Sequence, residues 1–172
     1  MNIIRDIKNV GWATLGKFDA KAFLPGEMNL MIFEEDGASI EDAEKCIAHL
    51  NGLADKPEVT DAIERGLEKF LLYMYDEWVA MGIFNDIVES LKPVMQDYKK
   101  GSKPSSFLSN PEMIVFPQKE GDVGYGIQTD CPWEPEHQCL ILIRNDKCVY
   151  VGPFEMLNPW SDEKYLHCIW DD

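Results

Sequence analysis

Nine consecutive residues hold the densest set of reactive side chains in the sequence: Cys131-Pro132-Trp133-Glu134-Pro135-Glu136-His137-Gln138-Cys139. Two thiols, two carboxylates and an imidazole lie between two apolar, strand-like runs, Gly124–Ile127 and Leu140–Ile143. Three chemistries are open to such a set. The first is metal binding, because Cys131, His137, Cys139 and Cys148 are all competent zinc ligands. Their spacing argues against it: there is no Cys-x-x-Cys pair and no His-Glu-x-x-His. Register argues further. If Arg144 pairs with Cys148 across a three-residue turn, Cys148 shares a face with Leu140 and Leu142 and not with Cys139. A register shift of one reverses this. Small buried cysteines are the plainer reading, and no metal and no other cofactor is expected.

The second chemistry is acid–base or nucleophilic catalysis by Glu134, Glu136 and His137, with Cys131 or Cys139 as a thiol, Glu136 and His137 being the candidate catalytic pair. A histidine beside carboxylates titrates near neutral pH and can activate a thiol. Neighbouring residues of an extended segment point to opposite sides, however, so Glu136 and His137 need not meet. The competing reading is that these side chains hydrogen-bond backbone groups and fix the shape of the loop. The third chemistry is recognition. Trp133, Glu134, Glu136 and His137 are the candidate binding residues, and Trp133 with Trp160 and Trp170 could form an aromatic patch. Burial in a core is the competing reading for each tryptophan. No glycine-rich phosphate loop and no Gly-x-Ser-x-Gly elbow occurs. His49 and His167 stand isolated in the sequence and receive no role.

The elements that must position this stretch are legible in outline. Residues 1–8 suit a helical turn or a first strand. Val10–Leu15 and Lys17–Leu24 read as short strands, with Trp12, Phe18 and Phe23 suited to a half-buried sheet. Pro25-Gly26 signals a turn, and Asn29–Phe33 reads as another strand. Ser39 is an N-cap, and Asp42 three residues on nearly completes a capping box. A helix follows, ending at Asn51-Gly52 or at Ala54-Asp55. Pro57 opens a second helix with Asp55 as a possible cap. Ile63, Leu67, Phe70, Leu71, Met74, Trp78 and Met81 recur three or four residues apart, which makes this the main helix on the sheet. Gly82 is its stop. Phe84–Tyr98 is a weaker helical segment that Pro93 should break or restart. Lys99–Ser106 is linker-like. Met113–Phe116, Val123–Thr129, Cys139–Arg144 and Cys148–Val151 form a C-terminal meander, with Asn145-Asp146-Lys147 turning between the last two. The tail from Phe154 is too aromatic to be disordered and should pack as a short helix or irregular segment.

Composition narrows the class. A chain of 172 residues suits one domain, and a domain of that size buries roughly 70% of its unfolded surface without staples. There are 31 acidic residues against 16 basic ones, a net charge of -15. That field repels phosphate backbones and anionic lipid, so neither nucleic acid nor a membrane surface is the expected partner. A basic protein partner, or DNA mimicry, fits it, and so does plain solubility. Oligomeric state is not indicated. The five cysteines are odd in number and follow no secretory-type start, and no 18-residue apolar window occurs. Reduced thiols in a cytoplasmic protein are expected.

Tyr125-Gly126-Ile127, Cys131 through His137, Asn145-Asp146-Lys147 and Val151-Gly152 together carry a resemblance. The sequence resembles a bacterial family of domains of unknown function with a Cys-x-Trp-Asp-Pro-Glu-His-Gly type of motif between two strands. In that family an Asn-Gly-Lys type of turn and a Val-Gly follow. The Gly11-Trp12 strands, the acidic helices and the meander match the same order. This chain departs at Glu134, where Asp is usual, and at Gln138, where Gly is usual, so a positive φ at 138 is either not demanded or tolerated. The resemblance implies no activity. Similar small acidic domains occur near toxin and immunity genes, which implies an immunity-like binding role by association.

The expectation is therefore one α+β domain over residues 1–172: N-terminal strands in 1–36, a helical middle in 39–100, a meander in 112–152 and an aromatic tail in 153–172. An antiparallel sheet should be covered on one face by helices near 39–54 and 57–82. The leading function is non-catalytic contact with a protein partner. The alternative is a small enzyme using Glu136 and His137.

Overall fold

A computed structural model describes residues 3–171. Expectations that fall on residues 1, 2 and 172 lie outside the described residues. The fold is α+β. Among the described residues seven strands form one sheet in chain order: β1 (Arg5–Asn9), β2 (Thr14–Ala20), β3 (Gly26–Ile32), β4 (Ser109–Val115), β5 (Gly124–Asp130), β6 (Cys139–Arg144) and β7 (Lys147–Pro153). Every neighbouring pair is antiparallel except β3–β4, which is parallel. A parallel pair needs a long crossover. The helical middle is that crossover: α1 (Ile40–Gly52), α2 (Pro57–Met81) and α3 (Asn85–Lys99) all lie between β3 and β4.

The helices cover one face of the sheet. Phe18, Met28, Leu30, Met113, Tyr125, Ile127, Ile141 and Ile143 meet Ile47, Leu50, Ile63, Leu67, Phe70 and Leu71 in one buried core. Local chemistry fixes the helix ends. Ser39 Oγ accepts from Asp42 N and the Asp42 carboxylate accepts from Ser39 N, a complete capping box. Pro57 stands in the first turn of α2, and Gly82 closes it in the left-handed conformation at φ +66. Gly66 lets α2 touch β7: a Cβ there would sit 2.6 Å from Val151 Cγ2.

The opposite face is divided. Its β4–β7 part (Ile114, Leu140, Leu142, Tyr150) is covered by the tail through Leu157, Leu166 and Cys168. Short 3₁₀ turns at Glu163–Tyr165 and Ile169–Asp171 shape that tail. Gly124 admits it, since a Cβ would lie 2.7 Å from the Trp160 ring. The rest of this face carries a polar row, Lys17, Asn29, Glu112 and Gln128, aligned across β2–β5.

Several boundaries differ from the sequence reading. The chain turns at Gly11 (φ +95), and Val10 N donates to Ala13 O at 2.9 Å, so of the strand expected at Val10–Leu15 only Thr14 and Leu15 are extended, as the start of β2. Trp12 stands half exposed on that turn against Phe33. The strand expected at Lys17–Leu24 is the later part of β2 and ends at Ala20. Lys56, not Asp55, occupies the N-cap of α2, without a side-chain bond. Pro93 does not break α3. It lies on the exposed side, where the Glu89 carbonyl freed by the missing N–H can be hydrated. The linker-like run leads into a 3₁₀ turn, Pro104–Phe107, pinned to α2 by Ser105 bonding to Glu64. The β6–β7 turn has two residues, Asn145 and Asp146, so Arg144 pairs with Lys147 and Ile143 with Cys148. Cys148 therefore shares the helix-facing side with Ile143, Ile141 and Cys139.

Candidate functional site

The motif loop joins β5 to β6, and its shape is built around Glu134. This carboxylate is only 7% exposed. Its Oε1 accepts from Glu136 N at 3.2 Å and from His137 N at 3.2 Å, and lies 3.2 Å from His137 Nδ1. Backbone bonds complete the turn: Glu134 N to Cys131 O at 3.4 Å and Gln138 N to Glu134 O at 3.2 Å. Gln138 takes φ +64, so the positive φ is adopted here without glycine. Its side chain compensates by bonding outward, donating to Asp130 Oδ1 at 2.5 Å and accepting from Gln128. Asn110 also donates to Asp130 at 2.7 Å. These two bonds, Asn110 first, hold the Asp130 carboxyl below its ordinary range.

The structure thus gives the loop-fixing role to Glu134, with Glu136 and His137 supplying mainly backbone N–H groups. The Glu136 side chain is exposed, and that of His137 is 61% exposed. A cavity of about 310 Å³ opens beside the loop, lined by Phe107, Ser109, Asp130, Cys131, Glu134 and Gln138 among others. Two carboxylates and no cation line it. The imidazole is oriented by a carboxylate, an arrangement compatible with proton transfer.

Trp133 is fully buried. It lies edge-on to Phe70 at 6.2 Å, and Phe70 stacks on Trp170 at 4.7 Å. Trp160 is elsewhere: its Nε1 donates to Pro117 O at 2.8 Å, next to Gly124. The three tryptophans form no common exposed patch. Trp133 instead anchors the loop, and its carbonyl accepts from the indole Nε1 of Trp78 at 2.9 Å.

The thiols do not assemble a metal centre. Among the described residues no three His, Cys, Asp or Glu side chains come together as one. Cys139 is fully buried, and its thiol is pushed well up by a hydrogen bond with Cys131 and by burial. Burial pushes Cys46, Cys148 and Cys168 up to about 12.

One constellation was missed from the sequence. His49 lies between Tyr125 Oη at 3.0 Å and Asp146 Oδ1 at 3.0 Å, and Lys56 Nζ reaches the same Oδ1 at 2.5 Å. The Asp146 carboxyl is held low, first by Lys56 and then by His49. No spacing rule could have found it, since α1, the N-cap of α2, β5 and the β6–β7 turn each contribute one residue. Tyr125 is fully buried, so its hydroxyl meets no substrate. The set ties α1 to the two-residue turn.

Among the described residues no helix is long and apolar enough to cross a membrane. No curated protein and no solved structure matches the chain. Residues 3–158 match the family model described as a domain of unknown function, DUF6985, and the chain belongs to that family.

Proposed function

We propose that this protein is a non-catalytic, acidic protein-binding domain of a bacterial, immunity-like kind, acting in the cytoplasm by stoichiometric contact with a basic partner. One observation supports the reading: the chain carries a net charge of -15 while the motif's buried carboxylate is engaged by its own loop. Such a field speeds encounter with a cationic protein and rejects anionic ones. The test is purification of the tagged protein from its native host at low ionic strength. The expected result is a basic protein in near-equal amount, released by salt and toxic when expressed alone. Repeated recovery of no partner counts against the reading.

A second reading, a small enzyme, is favoured by one feature. The His137 ring is oriented by Glu134 and remains mostly exposed near the cavity. Turnover of an ester, amide or phosphoester by the wild type, lost in His137→Ala with folding intact, would support it.

A further inference from the structure

We infer that the half of the sheet left uncovered on the side away from the helices is the docking surface for the basic partner, and that a partner lysine or arginine pairs there with Glu112. This inference rests on the binding reading above and assigns it a place. Register makes the surface continuous. Leu15 pairs with Met31, and Met31 with Ile114, in one row across β2, β3 and β4. Lys17, Asn29, Glu112 and Gln128 form the next row, two residues along each strand, so both rows share one face. The tail covers Ile114, but Leu15 and Met31 are half buried and join neither buried cluster. Aromatic rings bound the apolar row. Trp12, 50% exposed, lies 6.0 Å from Phe33, and Phe33 lies 5.6 Å from Phe116. Phe33 and Phe116 both pack against the cluster that holds Ile114. A sheet face left to water reads polar along its strands. Here uncovered apolar side chains lie directly beside a polar row, as at an interaction site.

Charge selects the occupant. Arg5 pairs with Asp19 and Glu27, and Lys17 pairs with Glu27. Lys8, opposite Leu15 on the edge strand, is three strands from Glu112. Glu112 itself is half buried and makes no hydrogen bond or ion pair among the described residues. Its cross-strand neighbours are the neutral Asn29 and Gln128, and Gln128 donates to Gln138 of the motif loop. Burial is what raises its carboxyl. A partly buried carboxylate without a counter-ion destabilises the free chain. A cation from a partner relieves this, because docking dries the site and strengthens the pair. A second copy would bring a net charge of -15 against the same charge, and an anionic membrane would be repelled. The occupant is therefore a protein segment with apolar residues set beside a Lys or Arg.

The test uses the full chain and two synthetic amphipathic peptides as probes, one with leucines beside arginines and one with glutamates in place of the arginines. Amide chemical shifts and titration calorimetry follow binding. The expected result is binding of the arginine peptide alone, with shifts centred on residues 12–17, 29–33 and 112–116. Glu112→Gln and Trp12→Ser should each weaken it about tenfold or more. Glu112→Gln should do so without a lower Tm at pH 7, which separates recognition from damage to the fold. No binding, shifts centred elsewhere, equal binding of the two peptides, or an unchanged affinity in either variant overturns the inference. So does concentration-dependent dimerisation, or binding to phosphatidylcholine vesicles, that Trp12→Ser abolishes. Glu112→Gln is then used as bait in the native host beside the wild type. Equal capture of a basic protein by both overturns this docking surface and leaves the binding function standing. Capture by neither overturns the binding function itself, and the surface with it.

Discussion

The indole N–H of Trp78 donates to the main-chain carbonyl of Trp133 across 2.9 Å. The end of the longest helix and the motif loop are thereby one mechanical unit. Removing the donor leaves a buried carbonyl unsatisfied. Trp78→Phe should therefore lower stability by about 1–3 kcal/mol, read from the urea midpoint. Phe84 meets the same indole edge-on at 4.9 Å, so amide exchange should quicken in the motif loop and around Phe84 together.

Glu134 and its neighbours should behave unequally. Glu134→Ala strips the acceptor from two backbone N–H groups and should cost about 1–3 kcal/mol. Glu134→Gln keeps a side-chain oxygen and should cost less. Glu136→Gln, on an exposed side chain, should stay within about 0.5 kcal/mol of wild type. Equal losses at 134 and 136 in chemical denaturation would contradict the loop geometry.

Two carboxyls should give pH effects of opposite sign. Burial raises the Glu112 carboxyl on the polar row. A raised native value contributes stability that is complete below the unfolded value of about 4.3 and is lost as pH rises through the native one. Glu112→Gln should therefore raise the Tm at pH 7, by about 0.5 kcal/mol or less in stability, and do nothing at pH 3. Asp146 is held low by Lys56 and His49. Its contribution is present above about 3.9 and is lost as pH falls. Asp146→Asn should lower the Tm at pH 7 and lose that effect in acid. Calorimetric scans at the two pH values decide both.

Three of the thiols should be inert in the native state. With values near 12 at Cys46, Cys148 and Cys168, the thiolate fraction at pH 8 falls about a thousandfold below that of a free cysteine. An aromatic disulfide reagent should label these three slowly until guanidinium is added. Fast labelling of native protein would point to frequent local opening.

The sequence was most readable where short-range chemistry decides. Ser39 with Asp42, Pro57 and Gly82 mark helix ends because caps act over three or four residues, and the apolar stripe of α2 needs only helical periodicity. It was least readable where a distant contact decides. Trp12 looks like a strand residue but stands on a turn, since exposure is not encoded in residue type. Pro93 continues α3 because its face is wet. His49 lacks a motif because Tyr125 and Asp146 reach it from two other elements. The motif stretch is legible, but its hub is not. Glu136 and His137 carry the reactive residue types, whereas Glu134, buried beside the fully buried Trp133, is the acceptor that shapes the loop.

The single parallel pairing, β3 against β4, has a kinetic consequence. On either side of it the strands are neighbours in sequence: β1–β2–β3 in one block, β4–β5–β6–β7 in the other. Each block can zip through short loops, while the seam between them closes only after the whole helical excursion from Ile32 to Ser109 is gathered in. The molecule is thus two local ribbons stitched along one line. A chain cut in the Lys99–Ser102 turn should yield two fragments that find each other slowly, along that line, and rebuild the sheet.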